Sequence, residues 1–194
     1  IVHCLLGAAV ITPEIIAFDE YWNRGLGFYA ELRPDSLIYD EEAMRVGCSH
    51  LICLDRIKNE DPRFDTKSPE FSPLDVLELM ERYCEGPLTA MRRFSSWIDS
   101  FRYGEYKIIG VTDTVLFDGG RIDLLLGQYF HGKSPYGWSG LDLDSVYRGY
   151  MRNRRASLKT FGVPDERTKP HRADQDAVFL AEQARVLLYE KMEE

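Results

Sequence analysis

The spacing of apolar and polar residues changes along the chain, and the changes predict an alternation of strands and helices. Residues 1–12 are a nearly continuous apolar run, and residues 27–34 alternate apolar with polar side chains. Both patterns are typical of β-strands, so we expect two neighbouring strands there. The sequence YKIIGVTD, residues 106–113, predicts a third short strand.

Capping residues predict where the first helices begin and end. Asp40 stands where it can cap a short helix, and Gly47 is placed to end that helix. Ser72 is the expected N-cap of a second helix, with Pro73 at its first position. We expect the second helix to continue to about Tyr83.

Apolar residues at helical intervals predict the remaining helices. They recur over residues 88–101 and 122–130, and short helices are expected at 146–152 and 157–161. A last helix should begin near Ala173. Its predicted buried stripe consists of Ala177, Leu180, Ala181, Ala184, Leu187 and Leu188. Its predicted water-facing side chains are Glu182, Gln183, Arg185 and Glu190.

Strands interleaved with helices, without internal repeats, predict a single α/β domain spanning residues 1–194. A hydrophobic fraction of 44% is enough for a full core. The sequence has no apolar run of the roughly eighteen residues that a membrane span needs, so we expect no membrane association. Four cysteines without a CxxC pair favour reduced thiols, which predicts a cytoplasmic location.

The charge distribution limits how the protein can bind nucleic acid. A net charge of −8 argues against a broad basic face that coats long nucleic acid, although it allows one strand end to be held. Basic residues concentrate in YRGYMRNRRASLK, residues 147–159. Arg154 and Arg155 are candidates for phosphate contacts there, and Tyr147 and Tyr150 are candidates for base stacking. The alternative is a solvated helical face that binds nothing.

The sequence CSHLIC raises the question of a zinc site. Cys48, His50 and Cys53 could form part of such a site. A fourth ligand at a suitable spacing is missing, and the segment is apolar. We therefore expect no zinc at these three residues.

Two aspartates and a histidine are candidates for chemistry. Asp176 comes just before a buried helical stripe, and Asp118 lies between a strand and an amphipathic helix. Because an unpaired buried charge is costly, a positive group should meet such carboxylates, and a Mg²⁺ or Mn²⁺ ion would satisfy both. His171 could then deprotonate a water that attacks phosphate. Alternatively, Asp174 and Asp176 stabilise the helix N-terminus, and His171 is a solvated loop residue.

Two motifs resemble those of a known family. The sequence HRADQDA, from His171 to Ala177, looks like the third motif of the DEDDh 3′–5′ exonucleases. The sequence VTDTVLFDGGRIDLLL is similar to the second motif of that family, in which the aspartate corresponds to Asp118. The histidine selects the DEDDh branch, since Arg172 stands where the sister branch carries tyrosine.

The resemblance implies a ribonuclease H-like fold, a mixed β-sheet flanked by helices. It implies hydrolysis of nucleotides from the 3′ end of single-stranded DNA or RNA by a two-metal mechanism with Mg²⁺ or Mn²⁺. Asp118 and Asp176 would bind metal and His171 would act as general base. Members of the family are often dimers, so a homodimer is one candidate for the oligomeric state.

The chain departs from the family at two places. The Asp-x-Glu motif expected on the first strand is missing, and Asp40 with Glu42 is better explained as a helix start. We therefore expect that the first strand belongs upstream of Ile1, and that restoring it would raise melting temperature and metal affinity together. Asp113-Thr114 also replaces the His-Asn pair that many relatives carry.

Two other functions remain open from the sequence. One is a natural pseudo-enzyme of the same fold, a binding module for single-stranded ends or for a protein partner. The other is a metal-dependent phosphatase that acts on small phosphate esters. Hydrolysis of an oligonucleotide compared with that of a chromogenic phosphomonoester would separate exonuclease from phosphatase.

Overall fold

The structure, a computed structural model, describes residues 5–102, 107–113, 119–130, 135–136 and 140–192. These residues form a mixed α/β arrangement with seven α-helices and two small sheets. The α/β class predicted from the sequence is confirmed at this level. None of the described helices is both long and apolar enough to cross a membrane.

The first sheet is the hairpin expected from the N-terminal pattern. Strand β1 (Leu5–Ala9) pairs antiparallel with strand β2 (Gly27–Glu31). The connection between them contains a helix that the sequence pattern did not predict, α1 (Phe18–Asn23). This helix has only six residues, and its fully buried Tyr21 donates a 3.3 Å hydrogen bond to Glu182. Its stability therefore depends on tertiary contact rather than on local sequence.

The two predicted helix starts are confirmed by cap geometry. Helix α2 (Glu41–Gly47) begins after Asp40, whose carboxylate accepts a 2.8 Å hydrogen bond from the N–H of Ala43. Two short 3₁₀ turns follow, Ile52–Leu54 and Pro62–Phe64. Helix α3 (Pro73–Tyr83) begins after Ser72, which caps it as expected.

The hairpin lies between two helices. Helix α4 (Pro87–Asp99) contributes Met91 and Phe94 to a core that also contains Leu6, Phe28 and Ala30 from one face of the hairpin. Helix α7 (Ala173–Arg185) packs against the other face, and the chain continues as a π-helical turn, Val186–Lys191. Gly7 allows this contact, because a Cβ at that position would lie 2.0 Å from the carbonyl oxygen of Ala173.

The second sheet contains strand β3 (Gly110–Thr112), which pairs in parallel with strand β4 (Gly140–Asp142). Helix α5 (Gly120–Leu125) continues as a π-helical turn, Leu126–Phe130. Helix α6 (Leu143–Tyr150) and a 3₁₀ turn, Leu158–Thr160, occupy the region for which two short helices were predicted. Within the described residues, no strand pairing joins this sheet to the hairpin.

The predicted water-facing side of α7 is wrong at two positions. Gln183 and Arg185 are only 7% and 6% exposed. Helix α7 contacts β1, β2 and α1, so more of its circumference is covered than one apolar stripe suggests. Gln183 donates to the carbonyl of Leu158, and Arg185 pairs with Glu182 and Glu190. Burial of these polar groups is tolerated because each has a partner.

Candidate functional site

The candidate site lies at the N-terminus of α7 and in the loop that leads into it. Arg172 is the N-cap residue and makes no side-chain capping bond. Gln175, in the first turn of α7, forms hydrogen bonds with the loop instead. Its Oε1 accepts a 2.7 Å hydrogen bond from the N–H of Lys169, and its Nε2 donates to Oγ1 of Thr168 at 3.0 Å. The loop and the first helical turn are therefore held together as one unit.

Of the two predicted metal-binding aspartates, Asp176 is the one that lies among the described residues. Its Oδ1 accepts hydrogen bonds from Nη1 of Arg167 at 2.6 Å and from the N–H of His171 at 3.1 Å. Its side chain is 38% exposed, so solvent reaches the carboxylate. The expectation that a positive group meets this carboxylate is confirmed, and the group is a guanidinium.

Arg167 is shared between two carboxylates. It donates to Asp165 through Nε at 2.8 Å and through Nη2 at 2.7 Å, in addition to its bond with Asp176. Its guanidinium also lies 4.4 Å from the ring centre of Phe179. These hydrogen bonds lower the pKa of Asp165 to about 2 and raise the pKa of Arg167. Arg167 therefore stays charged, and it orients the loop against α7.

Asp174 has a structural rather than a solvent-facing position. It is buried and accepts two hydrogen bonds from Arg172, at 2.6 and 2.5 Å. It also accepts a 2.8 Å hydrogen bond from the N–H of Gln175 in the first turn of α7. The interpretation that this acid stabilises the helix N-terminus is therefore confirmed for Asp174. The guanidinium of Arg172 lies 5.9 Å from the ring centre of Tyr29.

His171, the candidate general base, has an unusual backbone. Its φ is +69°, in the left-handed region that non-glycine residues rarely adopt. Its N–H bonds Asp176, and its exposed imidazole makes no hydrogen bond or ion pair with any residue that the structure describes. The structure therefore brings His171 and Asp176 together through the backbone and leaves the imidazole free. Strained backbone of this kind is common at functional sites.

Asp118, the second predicted metal ligand, lies outside the described residues. The strand before it, β3, ends at Thr112, whose Oγ1 is buried without a hydrogen-bond partner in the described part of the chain. Val111 of β3 packs in the same apolar cluster as Ala184 of α7 and Leu187 just beyond it. The strand that leads toward Asp118 and the helix that carries Asp176 therefore share one core.

The basic segment is separate from this site in the described contacts. Arg154 and Arg155 are exposed after α6, and no described hydrogen bond or ion pair joins them to Asp176 or His171. The predicted stacking role of Tyr147 is wrong. This residue is buried, with its ring centre 4.8 Å from that of Phe161. Its ring packs α6 against an apolar cluster and does not face solvent.

Arg167 is the residue that sequence reasoning missed. Its position nine residues before Asp176 does not correspond to any helical spacing, since the loop must fold back before the two meet. The only local signal is the Asp165-x-Arg167 pair, which is common in exposed loops. A contact between a loop and a helix depends on how the chain folds back, so the spacing of residues in the sequence does not predict it.

The scan of protein-family models and the search of curated proteins both ended without a match. A function is therefore inferred from the geometry around Asp176 and from the two sequence motifs. The contacts on which that inference depends all lie between residues 165 and 179.

Proposed function

We propose that this protein is a metal-dependent 3′–5′ exonuclease that removes nucleotides from the 3′ end of single-stranded DNA or RNA. The observation that carries the proposal is the solvent-accessible carboxylate of Asp176, fixed beside His171 at the first turn of α7. A carboxylate for a metal and an imidazole for a proton are two of the groups that metal-assisted phosphodiester hydrolysis needs.

The arrangement of elements supports the ribonuclease H-like fold that the motifs imply. An antiparallel hairpin with a C-terminal helix packed on it and a parallel strand pair are elements that such a fold contains, although no pairing joins the two sheets within the described residues. The second motif begins within β3 and the third leads into α7, in the order in which the family carries them. On this proposal, Asp118 and Asp176 would bind the same metal site.

Among the described residues, Asp176 offers one of the oxygen ligands that a hard divalent cation requires. Oδ2 of Asp176 accepts no hydrogen bond from the described residues, so one carboxylate oxygen is available to Mg²⁺ or Mn²⁺. Asp118 would supply a further oxygen. The metal would polarise the phosphate and lower the pKa of a bound water. The positive charge of Arg167 on the other oxygen weakens the attraction of this carboxylate for a cation.

The role of His171 would be to accept the proton of the attacking water. Histidine ordinarily titrates near neutral pH, which suits a general base. The hydrogen bond from its N–H to Asp176 keeps the two residues adjacent, whatever the rest of the loop does. Arg154 and Arg155 would contact backbone phosphates of the bound strand, because they are exposed and unpaired among the described residues.

The test is manganese-dependent shortening of a 5′-labelled single strand, run in parallel on DNA and RNA. We expect a ladder of shortened products from the wild type and an intact substrate with Asp176→Asn. Asp165→Asn is the matched control, because it also removes a carboxylate from Arg167 but leaves Asp176 in place. Undiminished manganese-dependent shortening in purified Asp176→Asn would refute the role of Asp176.

One observation favours a second function, the binding module of the same fold. The 2.6 Å bond between Arg167 and Asp176 already neutralises the carboxylate that a metal would need. A binding module should retain a labelled single strand in an anisotropy titration and leave it intact with manganese present. Cleavage of a chromogenic phosphomonoester, with the oligonucleotide intact, would instead point to a phosphatase.

A further inference from the structure

Three side chains with metal-ligand chemistry meet at a place remote in sequence from α7. Glu31 ends β2, Cys53 lies in the 3₁₀ turn Ile52–Leu54, and Cys84 directly follows α3. One carboxylate oxygen and the two Sγ atoms all lie within 4.8 Å of one another. Three separate segments of the chain therefore place a donor atom at the same point.

The carboxylate of Glu31 is held in place without any metal. It accepts hydrogen bonds from the N–H of Ile52 at 2.5 Å, from the N–H of Cys53 at 3.0 Å and from the hydroxyl of Tyr29 at 2.7 Å. The thiol of Cys53 also hydrogen-bonds Glu31, so the remaining lone pair of the carboxylate becomes free only when that thiol gives up its proton. No lysine, arginine or histidine in the described part of the chain forms an ion pair with Glu31. Its charge is oriented but not neutralised.

The backbone also fixes Cys84 beside Glu31. Its neighbour Glu85 forms a parallel bridge with Leu32. In that bridge the N–H of Glu85 donates to the carbonyl of Glu31 at 3.0 Å, and the N–H of Arg33 donates to the carbonyl of Glu85 at 2.8 Å. These hydrogen bonds hold the end of α3 against the end of β2. Donors that are positioned before a metal arrives reduce the entropic cost of binding it.

We propose that Glu31, Cys53 and Cys84 form a zinc site that stabilises the junction of β2, the 3₁₀ turn and α3. Two thiolates and one carboxylate suit Zn²⁺, whereas Mg²⁺ and Ca²⁺ prefer oxygen ligands alone. Around a tetrahedral zinc, neighbouring sulfur and oxygen ligands are about 3.5–3.8 Å apart. The three donor atoms, now within 4.8 Å of one another, need to contract by about 1.3 Å at most to reach that geometry. On binding, the two thiol protons leave to solvent and a water completes the coordination.

This site differs from the metal corner that the sequence CSHLIC suggests. His50 does not belong to the group of three, and the charges closest to it include those of Lys58 and Lys169, which repel a cation. Cys48 is buried in the same apolar cluster as Cys84, but its sulfur is not among the three donors. The sequence could not supply Glu31 and Cys84, because both are brought in by strand and helix packing.

The site would also connect to the candidate active site, although it does not depend on the proposed function. Tyr29 donates to Glu31, and its ring faces the guanidinium of Arg172, which in turn pairs with Asp174 in α7. A zinc at Glu31 would therefore order the same hairpin against which α7 packs. The expected effect is on stability, so the test does not require catalysis.

The test uses the whole chain, kept reduced with a phosphine reductant. We expect a hundredfold excess of zinc over Kd to raise the melting temperature by about 5–10 °C. Cobalt should produce a thiolate-to-metal charge-transfer absorption. Glu31→Gln, Cys53→Ser and Cys84→Ser should each lose both signals. His50→Gln is the matched control and should retain both the zinc-induced rise in melting temperature and the cobalt band. If zinc instead bound Cys48, His50 and Cys53, the His50→Gln variant would lose both signals.

X-ray absorption on the zinc-loaded wild type checks the ligands in a protein that carries no substitution. Two sulfur neighbours at about 2.3 Å and oxygen neighbours at about 2.0 Å are expected. An unchanged melting temperature with zinc and no cobalt band would overturn the proposal. A zinc shell of nitrogen and oxygen alone would also overturn it, because the two thiolates would then be uninvolved.

Discussion

The Nη1 atom of Arg167 donates a 2.6 Å hydrogen bond to Oδ1 of Asp176, and this contact closes the loop before α7 onto the first turn of that helix. The same guanidinium holds Asp165. A positive side chain therefore occupies the place beside Asp176 where the proposed function requires a metal ion. This ion pair therefore lowers the affinity that Asp176 would otherwise have for a metal ion.

Removing Arg167 should separate its structural role from its effect on metal binding. We expect Arg167→Gln to lower the free energy of unfolding by about 1–2 kcal/mol, because hydrogen bonds to two carboxylates are lost at a partly exposed site. The same variant should bind Mn²⁺ more tightly, since Asp176 loses its competing cation. Urea denaturation and calorimetric titration measure the two effects.

Arg154→Gln is the control for Arg167→Gln. Arg154 is exposed and makes no ion pair in the described part of the chain. Its substitution should therefore change the free energy of unfolding by no more than about 0.5 kcal/mol. Weaker Mn²⁺ binding in Arg167→Gln would show that the guanidinium does not compete with the metal, and would count against Asp176 as a ligand.

The stability that Asp165 contributes should disappear in acid. Hydrogen bonds from Arg167 lower the pKa of Asp165 to about 2 in the folded protein, below the ordinary value of 3.8. A lowered folded-state pKa gives stability that is complete above the unfolded pKa and is lost as the pH falls through the folded one. The difference in unfolding free energy between wild type and Asp165→Asn should therefore be constant above pH ~5 and shrink between pH ~4 and ~2. Urea midpoints at each pH measure it. A difference that stays constant down to pH ~2 would contradict the ion pair.

The backbone of His171 gives a test that isolates the imidazole. At φ +69° a residue with a Cβ has steric strain that glycine lacks, so His171→Gly removes this strain and His171→Ala retains it. The glycine variant should therefore be more stable than the alanine variant by about 1 kcal/mol. Both variants lack the general base, and both should lose exonuclease rate by roughly 10²–10⁴-fold. If only the alanine variant lost activity, backbone strain rather than the imidazole would be responsible.

Local features of the fold could be predicted from the sequence. The caps at Asp40 and Ser72 depend on hydrogen bonds within three residues, and both are present. The β1–β2 hairpin follows from apolar content over neighbouring segments. Helix α1 and the burial of Arg185 were not predicted, because each depends on contacts with residues that are distant or that belong to another element.

The candidate site shows the same division. The sequence placed His171 in the loop before a helix and Asp176 at the start of that helix, and the structure agrees. It did not reveal Arg167, which reaches Asp176 only because the loop folds back. The role of Asp118 remains a prediction, since that residue lies outside the described part of the chain.

The basic segment predicts a specific change in salt dependence. Neutralising two phosphate contacts on a single strand should reduce the slope of log affinity against log salt by about 1.4. We expect this change for the double variant Arg154→Gln, Arg155→Gln in anisotropy titrations. The matched double variant Arg24→Gln, Arg56→Gln removes the same charge from exposed positions elsewhere in the sequence. Equal slopes for the two would assign the basic segment to a solvated surface.

Gly7 should be the position where the hairpin and the candidate site are most tightly coupled. A Cβ there would lie 2.0 Å from the carbonyl oxygen of Ala173, a backbone atom in the first turn of α7. Gly7→Ala must therefore displace the turn that carries Asp176, and we expect a loss of about 1–3 kcal/mol in stability together with reduced exonuclease rate.

The control for Gly7→Ala is Gly149→Ala, in α6, where an added Cβ meets nothing within 4 Å. This change should instead stabilise the protein by about 0.5–1 kcal/mol, because alanine favours a helix over glycine. Urea denaturation compares the two variants directly. Similar stability in both would mean that β1 and α7 do not approach as closely as the structure shows, and the placement of Asp176 relative to the hairpin would then be wrong.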